Sequence, residues 1–369
     1  MISLTRYLYS KEDVKHSLIY CLLKKTDFKE CLFWISEYYY SGYFNEIWKL
    51  LWKLYYDFYA INNPKLEKFI IKMYDKWTKK TKIVYLLHII KNYFHIKPNP
   101  IVFLIRMAIE TQTSQTKSYR GRPPKWLKDM ENAVKYKNLL LSIHNKHYKN
   151  IAYYLRRFRN EEDELYKIII NYYKKDIIID EFKHMTIFDS SYKNKLHMLI
   201  DTMMHLSLNE NEIDNRIIHL LINAEELKYT QETNIVPKRL YHTLPEKRLF
   251  KIRTEIGCFN FERNNIREIQ LNFWEYYSYP TPIWKERFNK YKIKVNHEKK
   301  TIEFEDEMTT CDEYEDFYEK YYYEPDEQSK EVQERSIAEI PDISINEWLN
   351  DIFKEENLFL LDNKHKYIY

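Results

Sequence analysis

The stretch TDFKECLFWISEYYYSG, residues 26–42, decides how the chain is read. Asp27 stands where a helix N-cap accepts backbone N–H groups, and Glu30, three residues on, completes a capping-box pattern. Phe28, Cys31, Leu32, Ile35 and Tyr39 then recur at three- and four-residue spacing, which is the face of a helix and not the alternation of a strand. Ser41-Gly42 ends the run, because glycine enters the left-handed conformation of a helix C-cap without steric cost. The chain has only 3 glycines, so one placed here reads as a helix stop.

The same grammar extends in both directions. Residues 11–24 form a helix with Val14, Leu18 and Cys21 or Leu22 on one face. Residues 44–62 carry Ile47, Leu50, Leu51, Leu54, Phe58 and Ile61 at helical spacing. Asn63 and Pro64 then read as the N-cap and first position of a helix that buries Leu66, Phe69, Ile70, Met73 and Trp77. Two more helices, near 82–95 and 100–112, flank a KPNP break. Six helices with short connections predict a mainly α fold of stacked antiparallel hairpins, solenoid- or bundle-like, though the pairs share no repeat consensus.

Beyond a basic break at 113–125, helices are expected near 126–146 (core face Trp126, Met130, Ala133, Leu140 and Leu141), 150–159, after Asn160, and near 191–206 and 211–227. Residues 176–182 read as a short strand or a buried loop. FWEYYSYPTPIWKERF reads as helix, proline turn and helix. YKIKVNHEKKTIEFE alternates as a β-hairpin, with Lys292 and Lys294 facing Glu303 and Glu305. Residues 305–343 form an acidic, mobile tail. ISINEWLNDIF then gives a capping box, Ser344 to Glu347, and an amphipathic helix whose face is Ile345, Trp348, Leu349, Ile352 and Phe353. That face docks on a partner groove or on the chain's own body. The expected organisation is a helical-hairpin domain over 1–112, a linker over 113–125 and a second helical block over 126–227. A mixed α/β region over 228–304 and the acidic tail over 305–369 follow.

Charge is unevenly placed. Lysine and arginine exceed the acids by 19 over residues 1–300, and the acids exceed them by 15 over 301–369, leaving the net +4 of the chain. Such a basic body calls for an anionic partner, or for the tail as its shield. The densest basic stretch holds Lys117, Arg120, Arg122, Lys125, Lys128, Arg156, Arg157 and Arg159, the candidate nucleic-acid contacts. In YYLRRFRN, residues 153–160, aromatics interleave with arginines in a way that suits base stacking. Arg120-Gly121-Arg122-Pro123 resembles an AT-hook, which implies minor-groove contact. The same residues also serve as a plain bend into the next helix.

Other chemistry finds little support in the residues. With glycines only at 42, 121 and 257, no phosphate-cradling glycine loop can be written. His197, Asp201 and His205 share a helix face, but the histidines stand about 12 Å apart along it, too far for one metal. His144 and His147 sit on a basic helix end. Ser114-x-x-Lys117 and Ser190-x-x-Lys193 lack the companion motifs of serine–lysine enzymes. EFEDE, residues 303–307, reads as a solvated charge run. No two cysteines among Cys21, Cys31, Cys258 and Cys311 make a C-x-x-C pair, which fits a reducing compartment. No apolar run approaches membrane-spanning length, and the first residues show no signal-peptide core.

LFWISEYYYSGYFNEIWKLLWKLYYDFYAINNPKLEKFI (residues 32–70) and YRGRPPKWL (residues 119–127), with a lysine-, isoleucine-, asparagine- and tyrosine-rich composition, resemble uncharacterised proteins of nucleocytoplasmic large DNA viruses. The resemblance implies an intracellular viral setting, in the host cytoplasm, viral factory or virion, and no activity. The expectation is therefore a non-enzymatic helical scaffold or adaptor whose basic body binds an acidic partner. The alternative is a nucleic-acid-binding factor of viral replication, transcription or packaging that uses residues 117–159. No catalytic residue, cofactor or metal is assigned.

Overall fold

A computed structural model of the chain describes residues 3–110, 135–158, 160–173, 199–200, 203–205, 207, 219–232, 268–269, 272–304, 310–321 and 345–353. The fold is mainly α. Its N-terminal elements are α1 (Lys11–Lys24), α2 (Phe28–Tyr40), α3 (Phe44–Leu54), α4 (Leu66–Lys79), α5 (Ile83–His95) and α6 (Ile101–Glu110). Then come α7 (Lys137–His144), α8 (Tyr148–Arg157), α9 (Glu162–Tyr173) and α10 (Ala224–Glu232). The C-terminal elements are α11 (Trp274–Ser278), α12 (Pro282–Lys290), β1 (Lys294–Asn296), β2 (Thr301–Glu303), α13 (Thr310–Tyr321) and α14 (Ile345–Ile352).

Helix α2 is the axis, packed against α1, α3, α5 and α10. Cys31, Leu32, Phe33, Trp34 and Ile35 are all buried, so its middle is enclosed on every side, as a helix apolar all round requires. Asp27 accepts from the backbone N–H of Lys29 at 3.0 Å. At the other end Gly42 takes φ +86°. Its N–H reaches the Tyr39 carbonyl and that of Tyr43 reaches Tyr38, the paired bonds of a Schellman stop. A Cβ on Gly42 would stand 3.3 Å from Cδ of Pro282, so the glycine also lets α12 approach.

The bundle form of the expectation holds rather than the solenoid. In a solenoid each helix pair meets only its neighbours. Here α5 packs on α1 and α2 as well as α4, and the C-terminal elements return to the N-terminus. Leu4 N–H donates to the Tyr277 carbonyl, and Trp284 Nε1 donates to the carbonyl of Arg6.

Several expected elements shift. The helix expected over 44–62 is α only to Leu54 and continues as a π-turn at Tyr55–Tyr59, closed by Ala60 N–H on the Tyr55 carbonyl. The turn carries Asp57 inward, where Arg106 of α6 grips both carboxylate oxygens at 2.9 and 2.6 Å. Helix α4 begins at Leu66, not at Pro64. The Tyr55 hydroxyl donates to the carbonyls of Asn63 and Pro64 and keeps them in the preceding turn. Within the helix expected over 211–227, residues 211–218 lie outside the described residues, 219–223 are not helical, and α10 starts at Ala224. Asn92 bonds both backbone groups of Leu220, which anchors this strip to α5. Asn223 and Glu226 then bond reciprocally, a capping box.

Of the helix expected over 126–146, residues 126–134 lie outside the described residues, 135–136 form a turn, and α7 covers only 137–144, while α8 runs 148–157 where 150–159 was expected. The β-hairpin is present as expected and pairs Lys294 with Glu303, Val295 with Ile302 and Asn296 with Thr301, with the expected opposition of charge at the first pair. The acidic segment is corrected in part, since residues 310–321 form α13, a packed helix rather than a mobile tail. Phe317 is fully buried there, and its ring meets Phe288, Tyr291 and Tyr321.

Candidate functional site

The basic stretch is visible through the α7–α8 hairpin. Ile151, Ala152 and Leu155 are buried, and α8 packs on α6 while α7 packs on α8. The turn between them repeats the α2 stop. Lys146 takes φ +53°, and His147 N–H donates to the Ser142 carbonyl. Where the hairpin's ends meet, the Tyr136 and Phe158 rings stand 4.8 Å apart edge to face. The Tyr136 hydroxyl donates to Glu161 at 2.6 Å, and Lys135 pairs with the same carboxylate at 2.7 Å. Lys135 and then Tyr136 hold the Glu161 carboxyl below its ordinary range.

With the apolar face committed to the bundle, the basic groups are left outward. His144, Lys146, His147 and Lys149 are exposed at the turn, and Arg157 is exposed at the far end beside half-buried Arg156. The two groups are separated by the length of α8, about 15 Å for its ten residues. Arg156 and Arg157 form no ion pair among the described residues, unlike Lys135. The sequence reading missed Glu161 because it lies just past the basic stretch.

Of the expected contacts, Lys117, Arg120, Arg122, Lys125, Lys128 and Arg159 lie outside the described residues, as does the AT-hook-like core. The base-stacking reading of YYLRRFRN is corrected at Tyr154, which is buried, while Phe158 is half-buried with its ring edge to face against Tyr136. Tyr153 is half-buried and meets Tyr154 edge to face.

The second candidate, α14, lies against α1. Trp348 and Leu349 are buried, with Trp348 facing Phe103, while Phe353, just past the helix, stacks on Phe58. Ile345 and Ile352 pack on the same core from its edge. Asp351 accepts from the Tyr20 hydroxyl at 2.6 Å and pairs with Lys24 at 2.5 Å. The predicted face is therefore the docked face, seated on the chain's own body. Ser344, the expected cap, lies outside the described residues.

The histidine row leads elsewhere. His205 Nδ1 stands 2.6 Å from the Ile61 carbonyl, a structural bond, while His197 and Asp201 lie outside the described residues. Among the described residues no three potential ligands gather for a metal. No described helix is long and apolar enough to cross a membrane. Comparison of the chain with protein-family models, with curated proteins and with solved structures finds no match.

Proposed function

We propose that this chain is a helical adaptor that binds an acidic protein surface through the outward face of the α7–α8 hairpin. The observation that carries the reading is the division of α8. The helix packs on α6 and buries Ile151, Ala152 and Leu155, while Arg156 and Arg157 have no ion-pair partner among the described residues. A rigid helix with unpaired arginines offers forked donors for carboxylates at little ordering cost. Enclosure of Tyr154 and the seating of Phe158 favour this reading over single-strand stacking, which requires free ring faces.

Binding of the full chain to a capped polyglutamate peptide and to duplex and single-stranded DNA, across a salt series, tests the reading. Polyglutamate should bind, and Arg156→Glu with Arg157→Glu should weaken it roughly tenfold or more. Tighter binding to duplex DNA, with a steep salt slope that the same variant flattens, would instead support the nucleic-acid reading. Absence of binding to every probe at low salt would sink both.

A further inference from the structure

Three described arginines are almost wholly buried, and they are treated differently. Arg6 donates through Nε to Glu37 at 2.7 Å, and Arg106 forks onto Asp57. Arg287 on α12 is only 8 % exposed, yet no carboxylate among the described residues reaches it. Its Nη1 is enclosed without an acceptor among the described residues. What it has is aromatic. The guanidinium carbon lies 4.6 Å from the Trp284 ring centre and 4.1 Å from that of Tyr321.

Those contacts compensate the charge only in part. A cation over a ring face gains roughly 0.5–2 kcal/mol, while removing a charge from water costs several. Burial accordingly pushes the Arg287 guanidinium down to about 10, so it remains cationic at neutral pH. The two rings are 6.2 Å apart and inclined at 74°, so the guanidinium sits in a corner between them and not in a sandwich. Its donors lie in the guanidinium plane, where a planar acceptor would meet them.

We propose that Arg287 is the receptor for a single carboxylate group, held at the corner formed by Trp284 and Tyr321. A planar carboxylate matches the arginine fork and returns one negative charge for one positive. A phosphate dianion fits less well. The other charge that bears on Arg287 is the acid Glu286, and neighbouring Lys320 is engaged with Asp316 and the Tyr291 hydroxyl. The carboxylate comes either from a small molecule or from an acidic side chain of a bound peptide.

The test is nuclear magnetic resonance of the full chain with labelled arginine side chains. The Arg287 Nε–H resonance is identified as the one missing in Arg287→Lys. If that variant fails to fold, it is the resonance displaced by Glu286→Gln, a change at an exposed neighbour. Acetate, capped hexaglutamate, capped hexaglutamine and inorganic phosphate are titrated in turn. A saturable shift of this resonance with acetate or hexaglutamate, absent with hexaglutamine, supports the proposal. Response to acetate alone identifies a small carboxylate as the source, and response to hexaglutamate identifies a peptide. Glu286→Gln should tighten the binding severalfold by removing a repelling charge. A resonance that neither carboxylate moves, or that phosphate moves at lower concentration, overturns it. The readout is specific to Arg287, so it stands or falls separately from binding at Arg156 and Arg157.

Discussion

The N-terminal bundle and the α7–α8 hairpin use the same residue types to opposite ends. In the bundle, Asp57, Arg106, Arg6 and Glu37 are buried and paired across elements distant in sequence. In the hairpin, Arg157 faces water and Arg156 is only half covered, both on a helix whose grip on the body is apolar. Charge in the first region is part of the architecture, and charge in the second is available to a partner. The sharpest test removes one member of a buried pair. Asp57→Ala should destabilise the chain by about 3–5 kcal/mol, because Arg106 is left buried and uncompensated. Replacing both residues, Asp57→Leu with Arg106→Leu, should recover most of that loss, as chemical denaturation would record. A double variant no more stable than Asp57→Ala would show that the pair also fixes the π-turn geometry.

The next effect concerns the seat of α14. Trp348→Ala removes a buried indole from between Phe103 and the surrounding core, a loss on the order of 3 kcal/mol if the helix stays in place. Because α14 is held by its own short face and by the Asp351–Lys24 contact, release of the helix is the cheaper response. Amide exchange should then rise over 345–353 while α1–α5 stay protected. Uniform loss of protection across the bundle would instead make α14 a full member of the core.

These two regions also show what the sequence can and cannot convey. Helices α1, α2, α5 and α6 were legible almost to the residue, because caps, glycine and helical spacing are local. The hairpin and its opposition of charge were legible for the same reason. The π-turn was not, since Phe58 and Ile61 keep helical spacing through it and only the distant Arg106 reveals why the ladder widens. Helix α13 was hidden by its acids, although Tyr314, Phe317, Tyr318 and Tyr321 already follow helical spacing. The non-helical strip at 219–223 is bonded to Asn92, more than a hundred residues away, while the Asn223–Glu226 box was written locally and overlooked. For the candidate site, the exposed arginines were legible as charge. Which aromatics remained free was decided by packing on Tyr136 and α6.

That same strip sets a pH test of intermediate size. His88 Nδ1 accepts the Ile222 N–H at 3.0 Å, so the bond requires that nitrogen to be unprotonated. Burial, then Lys76 and Lys91, lower the His88 affinity for a proton, and His219 is lowered by burial and Lys72. Unfolding raises both toward about 6.5, so the unfolded chain binds more protons in mild acid. The contribution is thus fully present above about pH 6.5 and is lost as pH falls through the lower folded values. Melting temperature should drop between neutral pH and pH 5, with less drop in His88→Gln, whose carbonyl oxygen can accept the same bond. Equal pH dependence in the two chains would remove His88 from the clasp.

The smallest stability effect is expected where the functional effect is largest. Arg156→Glu with Arg157→Glu alters charges that touch no carboxylate among the described residues and leaves Ile151, Ala152 and Leu155 on α6. The unfolding free energy should therefore change by no more than about 0.5 kcal/mol, apart from a slight cost of acids at a helix C-terminus. Chemical denaturation of this variant, beside Asp57→Ala, places the two classes of charge on one scale. If the reversal costs as much as breaking the buried pair, these arginines hold the hairpin to the body and are not a surface for a partner. If stability is unchanged while polyglutamate binding falls, the division of α8 into an apolar anchor and a basic face is functional.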